Sequence, residues 1–247
     1  MQFFLNRLTA RSLLTGEERQ AILDLPGESA QIRTNRDFVR LGERVDHASL
    51  VIDGLIGRFG QNREGNRQIT AIHVAGDMAD LHSIVFPNAS SALQALAAST
   101  IVRVPHEALR VVAARYPALA EAFWRDGSVD AAILSEWVVN VGRRDARSRT
   151  AHLFCELATR YTPIGSAVNL TFRLEATQAH LADALGLTSV HVNRTLQALR
   201  GEKVIKTADR VVTILDWEKL ARIGDFNPNY LHSGGPISFR EGISGRA

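Results

Sequence analysis

The segment from Thr177 to Arg200, TQAHLADALGLTSVHVNRTLQALR, constrains this chain more than any other stretch. Counting from Gln178, residues Leu181, Leu185, Leu187 and Val192 fall at the inward positions of two short helices that meet at a steep angle. Ala182 is small where the helices cross, and Gly186 sits at the turn, where a positive φ costs glycine little. Thr188 is placed to cap the second helix, its hydroxyl accepting a backbone amide hydrogen bond. Each of these features is common, but their joint register is not. An ordinary helical hairpin with a polar outer face would reproduce it only by coincidence.

The second helix then turns Ser189, Val190, His191, Asn193, Arg194 and Gln197 outward, with Val192, Leu196 and Leu199 inward. This outer face has the chemistry of a major-groove reader. Arginine pairs bidentately with guanine, so Arg194 is the candidate base reader, and Asn193 or Gln197 can pair with adenine. Gln178, Thr188 and Ser189 lie at helix N-termini, where phosphates are held by free amides and the positive end of the helix dipole. Two β-rich runs follow, Lys203-Val-Ile-Lys206 and Arg210-Val-Val-Thr-Ile-Leu215, around Thr207-Ala-Asp. They predict a hairpin wing, with Lys203, Lys206 and Arg210 where a wing approaches the DNA backbone. Basic residues on an exposed hairpin also serve solubility alone, and the sequence leaves those two roles open.

The chain upstream has a different rhythm. A helix is expected over Leu13 to Leu25, ended by Pro26-Gly27. From about residue 30 to 105, short β-branched runs alternate with turn signals, among them Ser49-Leu-Val-Ile-Asp-Gly54, Gln68-Ile-Thr-Ala-Ile-His-Val74 and Thr100-Ile-Val-Arg-Val-Pro105. That rhythm suggests a compact antiparallel β-roll. Pro117 suits the first position of a long helix to about Gly142, with Leu119, Ala122, Phe123, Val129, Ile133, Trp137 and Val141 at roughly helical spacing. Such a stripe must be covered, either by the chain's own β-region or by the same helix of a second subunit. Arg143-Arg-Asp-Ala-Arg-Ser-Arg149 reads as a polar hinge, followed by a helix over Ala146 to Tyr161.

Composition removes several classes of function. At 247 residues and 45% hydrophobic, the chain can bury more than one core, and a net charge of +3 permits nucleic acid without requiring it. The single cysteine, Cys155, excludes an internal disulfide framework and a cluster held by several cysteines of one chain, and fits a cytoplasmic protein. Cys155 is expected to pack within its helix. No stretch approaches the ~20 apolar residues that span a bilayer, so no membrane association is expected. Residues 1–140 offer no nucleophile with a base, no metal-ligand spacing and no phosphate-cradling loop, so no enzyme is expected.

Taken with these motifs, the sequence resembles the Crp/Fnr family of bacterial regulators over nearly its whole length. The strongest match is Leu181-Ala-Asp-Ala-Leu-Gly-Leu-Thr-Ser-Val-His-Val-Asn-Arg-Thr-Leu196, followed by Ile214-Leu-Asp-Trp-Glu-Lys-Leu220. Val51-Ile-Asp-Gly-Leu-Ile-Gly-Arg-Phe59, Gly65-Asn-Arg-Gln-Ile69 and Ala75-Gly-Asp-Met78 resemble the family's successive strands and turns. The resemblance implies an α+β chain: a jelly-roll-like β-roll effector domain at residues 1–116, similar to cyclic-nucleotide-binding domains, and a dimerisation helix and hinge at 117–144. A winged helix-turn-helix would occupy 145–226 and a flexible tail 227–247. It implies a homodimer, paired through helix 117–142, on a pseudo-palindromic double-stranded operator. Ser189, Val190 and Arg194 match the family's base-reading positions. Val190 departs from the glutamate common there, so the operator should differ from that of the best-known members.

The effector region departs further from that pattern. Cyclic-nucleotide binders hold the ribose with a glutamate soon after Gly-Asp and the phosphate with an arginine. Gly76-Asp-Met-Ala-Asp-Leu81 and Asn88-Ala-Ser-Ser-Ala92 lack both, so cyclic AMP is not the expected effector, and no cofactor is assigned. Haem ligation by His73 or His82 is the weaker alternative, since a lone histidine is more often simply hydrogen-bonded. The N-terminal cysteines of oxygen-sensing relatives are missing. The loop Thr162-Pro-Ile-Gly165 is a candidate contact for RNA polymerase. A rival to the whole assignment is a β-roll regulatory module acting through a protein partner, but such a module has no use for Gln178–Gln197 or the wing.

Overall fold

Strands with apolar residues on both faces need a cover on each, and the N-terminal half supplies two. The computed structural model describes residues 1–161, 170–232 and 235–236, so the loop Thr162–Gly165 lies outside the described residues. Strands β1 (Glu28–Ile32), β7 (Ser99–Pro105) and β3 (His47–Asp53) form one antiparallel sheet in the order β1-β7-β3. Strands β2 (Arg36–Val39), β6 (Ala92–Ala95), β4 (Ile56–Gln61) and β5 (Arg67–His73) form another in the order β2-β6-β4-β5. Val39, Val51, Ile56, Leu93 and Ile101 fill the interior of the roll. The turn from β3 to β4 requires Gly54, because its φ is +91° and a Cβ there would lie 2.7 Å from the backbone oxygen of Ala98.

The opposite face of β3 and β7, at Ala48, Leu50 and Val104, packs against helices. These are α1 (Gln2–Thr9), α2 (Gly16–Leu23), α3 (His106–Arg115) and the first part of α4 (Pro117–Arg143), through Phe4, Leu8, Ile22, Leu109 and Leu119. The helix expected at Leu13 to Leu25 is α2, shorter at both ends. Thr15 starts α2 in a capping box, accepting from the Glu18 amide while the Glu18 carboxylate accepts from the Thr15 amide, and this fixes the helix start beyond residue 13. Helix α1, missed in the sequence, buries Phe4, Leu5 and Leu8.

The chain forms two compact units. Among the described residues, one comprises 1–58, 72–132, 231–232 and 235–236; the other comprises 59–71, 133–161 and 170–230. The expected boundary near Arg144 is therefore not where the units part. Helix α4 contributes to both cores without a break, and the β4–β5 hairpin tip counts with the second unit.

In the second unit, α5 (Ala146–Tyr161) is the central helix, burying Leu153, Phe154, Cys155 and Leu157. Around it lie α6 (Gln178–Leu185), α7 (Ser189–Gly201) and α8 (Trp217–Gly224), with a sheet β8-β10-β9 of Thr171–Arg173, Val211–Ile214 and Ile205–Ala208. Gly224 ends α8 so close to α5 that a Cβ would meet the His152 amide nitrogen at 2.6 Å. The tail expected from residue 227 begins instead with a 3-10 turn, Pro228–Leu231, in which Leu231 is buried and its carbonyl accepts from Arg11. The chain beyond 236 lies outside the described residues.

Helix α4 has two apolar faces. The stripe found in the sequence is largely consumed within the chain: Leu119, Ala122, Phe123, Val129, Ile133 and Trp137 are all buried. A second stripe at spacings of three and four, Trp124, Gly127, Ala131, Leu134 and Val138, is exposed, Trp124 at 75% and Val138 at 62%. Among the described residues, no helix is long and apolar enough to cross a membrane.

Candidate nucleic-acid interface

Helices α6 and α7 meet as the spacing requires. Leu181, Ala182 and Leu185 of the first, and Val192, Leu196 and Leu199 of the second, are buried, while Leu187 is half-buried at the turn. Gly186 closes α6 in the left-handed conformation at φ +62°. The carbonyls left free at that helix end are satisfied by a side chain: the Arg149 guanidinium donates to the Leu185 oxygen at 3.0 Å and lies 3.4 Å from that of Gly186. Gln68, on the β5 side of the hairpin tip, donates to the Ala184 oxygen at 3.1 Å.

Both helix starts are capped. Thr188 accepts from the His191 amide at 3.3 Å, as its position in the sequence suggested. Thr177 accepts from the His180 amide at 3.1 Å, and the Thr177 amide donates to His180 Nδ1. This is a capping box with histidine in the place of the usual glutamate or glutamine, which is why the sequence pattern did not reveal it. Burial, the larger cause, holds the His180 imidazole below its ordinary pKa, which keeps Nδ1 free to accept.

The outer side of α7 is bare. Gln178 stands at the first position of α6 and Ser189 at the first position of α7, both exposed, with the exposed caps Thr177 and Thr188 beside them. Val190 is 61% exposed, and His191, Asn193, Arg194 and Gln197 are exposed along the same helix. His191 turns its Nδ1 to the Thr188 hydroxyl at 3.2 Å. Among the described residues, Asn193, Arg194, Gln197 and Lys206 have no intramolecular hydrogen-bond partner. Polar side chains presented from a rigid, capped helix with no partner of their own form a surface ready for an external ligand.

The wing is a two-residue hairpin. Asp209 and Arg210 both take positive φ, +50° and +63°, the turn that matches the twist of β9 and β10. Lys206 is exposed on β9, and Arg200 at the end of α7 donates to the Thr207 hydroxyl at 2.8 Å, joining helix to wing. Strand β8, unseen in the sequence, pairs with β10 through Thr171, Phe172 and Arg173. A three-residue strand carries too short an alternation to be read.

The region where a β-roll effector would bind is filled by the chain itself. Asp77 accepts from Arg7 at 2.5 Å and from the Val74 amide at 3.0 Å. Asp80 accepts from the Ser49 amide at 2.6 Å, and burial, the larger cause, raises its pKa. Arg58 donates to the Ala79 carbonyl. Between Val39, Arg58, Asp80, Ser83, Ser91 and Leu93 only about 10 Å³ is open to a water-sized sphere, about the room for one water. His73 is buried in the roll and its pKa lowered, chiefly by burial; His82 is exposed within the 3-10 turn Leu81–Ile84.

This geometry is that of a winged helix-turn-helix, with a capped second helix and a two-residue wing. Comparisons with known proteins agree. Residues 148–223 match the Crp-like helix-turn-helix domain. The chain is 25% identical over 192 residues to the fumarate and nitrate reduction regulatory protein of Vibrio cholerae, covering 78% of this chain and 76% of that one. It is 24% identical over 207 residues to electron transport regulator A of Shewanella oneidensis, covering 84% and 82%. Its fold is shared with FixK2 from Bradyrhizobium japonicum, at a TM-score of 0.70 and 20% identity over 81% of this chain and 98% of that one. The CooA mutant from Carboxydothermus hydrogenoformans shares it too, at 0.65 and 17% over 89% and 95%. The chain is thus similar over most of its length to Crp/Fnr regulators, and with its Crp-like helix-turn-helix it is a DNA-binding transcription regulator of a kind that typically acts as a dimer.

Proposed function

We propose that this regulator reads a pseudo-palindromic operator as a homodimer, with Arg194 on guanine and Asn193 or Gln197 on adenine. Val190 makes apolar contact, for instance with a thymine methyl, and His191 lies beside it on the groove face. Gln178, Thr188 and Ser189 hold phosphates at the two helix starts, and Lys206 on the wing holds another. The observation that carries this is the exposed polar face of α7, on which Asn193, Arg194 and Gln197 have no hydrogen-bond partner among the described residues.

The homodimer is supported by the exposed stripe on α4. Trp124, Gly127, Ala131, Leu134 and Val138 recur at the three-four spacing of a two-helix seam, and the small Gly127 and Ala131 let two axes approach closely. Pairing there sets two recognition helices about one DNA turn apart, roughly 34 Å. The filled β-roll, with Asp77 and Asp80 where a phosphate would need a cation, supports a protein that does not answer to cyclic AMP. Selection of bound sequences from a random DNA pool with the purified, ligand-free protein tests the proposal. An inverted repeat with half-sites one turn apart is the expected result; a single unpaired half-site would remove the dimer, and enrichment of nothing would remove effector-free recognition.

A further inference from the structure

The second unit contains a chain of buried hydrogen bonds that is one proton short. His152, on α5, lies with Nδ1 3.0 Å from the Gly224 carbonyl and Nε2 3.2 Å from the Tyr230 hydroxyl. The Tyr230 hydroxyl is in turn 3.0 Å from Glu156 Oε2, which also accepts from Trp137 Nε1 of α4 at 2.9 Å. Glu156 Oε1 accepts from Arg160 at 3.0 Å, and the Glu156 side chain is fully buried. The ends of the chain, a carbonyl and a carboxylate, bring no hydrogen. Three links therefore need three hydrogens, whereas a neutral imidazole and a phenol supply two.

With two hydrogens, the Tyr230 hydroxyl must choose. If its hydrogen points to Glu156, His152 Nε2 faces the phenol oxygen lone pair to lone pair; if it points to His152, Glu156 loses a donor. A third hydrogen, on His152, settles the choice and gives Tyr230 wholly to Glu156.

We propose that the Gly224–His152–Tyr230–Glu156 chain is a proton-operated clasp. By taking up one proton it fixes the junction of α4 with α5 and so the seat of the recognition helix. The inference rests on the DNA-binding role proposed above. The elements joined are those that matter for such a role: Trp137 on α4, His152 and Glu156 on α5, the end of α8, and the C-terminal turn. That turn lies beyond residue 223, where the match to the helix-turn-helix domain ends.

The charges around His152 set where it titrates. Arg144, from the α4–α5 junction, faces it together with Glu136 of α4, which lies 3.6 Å from Nε2 and pairs with Arg144 at 2.8 Å. Asp225, after α8, pairs with Arg144 at 3.3 Å; Glu156 and its partner Arg160 face it from α5, and the Phe226 and Tyr230 rings pack against it. Burial is the largest influence and, with Arg144, lowers the imidazole pKa below 6.5, while the Gly224 carbonyl, Glu156 and Glu136 act to raise it. The third hydrogen is therefore absent at neutral pH and arrives only as the pH falls below 6.5. The sign for stability follows: the unfolded chain takes the proton first, so stability falls as the pH drops below about 6.5 and levels off once native His152 is charged.

Nuclear magnetic resonance of the full chain, with histidine and tryptophan rings labelled with nitrogen-15, tests the clasp between about pH 8 and pH 5. The expected result is a His152 midpoint below that of an exposed histidine, with the Trp137 indole resonance moving at the same midpoint. Tyr230→Phe keeps the ring packing and removes the link, so His152 should still titrate while Trp137 stays still. His152→Gln, a second variant, should flatten the Trp137 response as well. Affinity for the selected operator should change about threefold or more across the same range in the natural chain and stay flat in Tyr230→Phe. A Trp137 resonance that ignores the His152 titration, or that follows it equally in Tyr230→Phe, overturns the clasp. An operator affinity that is flat while Trp137 responds overturns its link to DNA and leaves the DNA-binding role standing.

Discussion

The Arg7 cluster of the first unit and the α7 face of the second use charge in opposite ways. In the first, charge is turned inward and saturated: Arg7 reaches Asp77 and Asp126 at 2.5 Å and Asp130 at 3.1 Å, with Arg11 3.8 Å from Asp126 and Arg58 3.9 Å from Asp130. Three guanidiniums face three carboxylates, and α1 is thereby fastened to α4 and to the turn after β5. These carboxylates drive the Arg7 pKa upward against the cost of burial, so the cluster keeps its cation at every ordinary pH. In the second unit, Arg194 and Lys206 are turned outward with no hydrogen-bond partner among the described residues. Saturated charge specifies a structure, whereas unsaturated charge on a rigid element is available for recognition.

That contrast can be broken by substitution. Arg7→Ala leaves three carboxylates crowded in a nearly closed site and should cost about 3–5 kcal/mol of stability, read from denaturant unfolding. A loss within experimental error would mean that the cluster is not the fastening of α1. Leu134→Glu places like charges across the proposed α4 seam and should turn the proposed dimer into a monomer by analytical ultracentrifugation, a penalty of several kcal/mol on pairing. An unchanged sedimentation coefficient would move the interface elsewhere.

Smaller effects sharpen the contrast. Arg194→Ala should leave the melting temperature alone and weaken specific operator binding by ~1–3 kcal/mol, with random DNA bound nearly as before. Equal losses on both DNAs would make Arg194 a phosphate contact. Gly186→Ala meets no atom closer than 3.6 Å, so its cost is the left-handed backbone alone, about 1 kcal/mol of stability. Lys206→Ala should weaken both kinds of binding slightly and reduce the salt dependence by about one counterion. An unaltered slope would take the wing out of the interface.

The outer face of α7 was legible because every feature of it is local. The Thr188 cap, the Gly186 turn and the inward Val192, Leu196 and Leu199 all lie within a dozen or so residues, so spacing alone places them. The long helix α4 was legible too, from Pro117 onward, but which of its faces is covered was not. Leu119, Phe123, Ile133 and Trp137, which the sequence left open to either cover, are core, while Trp124, Leu134 and Val138 are exposed. Helical spacing reports that two faces are apolar; only the packing of the rest of the chain decides which is already taken.

By itself, then, the sequence determined the helix-turn-helix, the wing and the alternation of the β-roll, since each depends on side chains a few residues apart. Tertiary structure decided the contacts between distant residues: Arg7 with Asp77, Asp126 and Asp130, and His152 and Glu156 with Tyr230. Charged and polar residues in a sequence default to solvent, and what brings these inside is a partner more than seventy positions or, for the α4 aspartates, more than a hundred positions away in most pairs. No period in the chain encodes such a meeting, because its energy comes from burial that exists only once the unit holding both partners has folded.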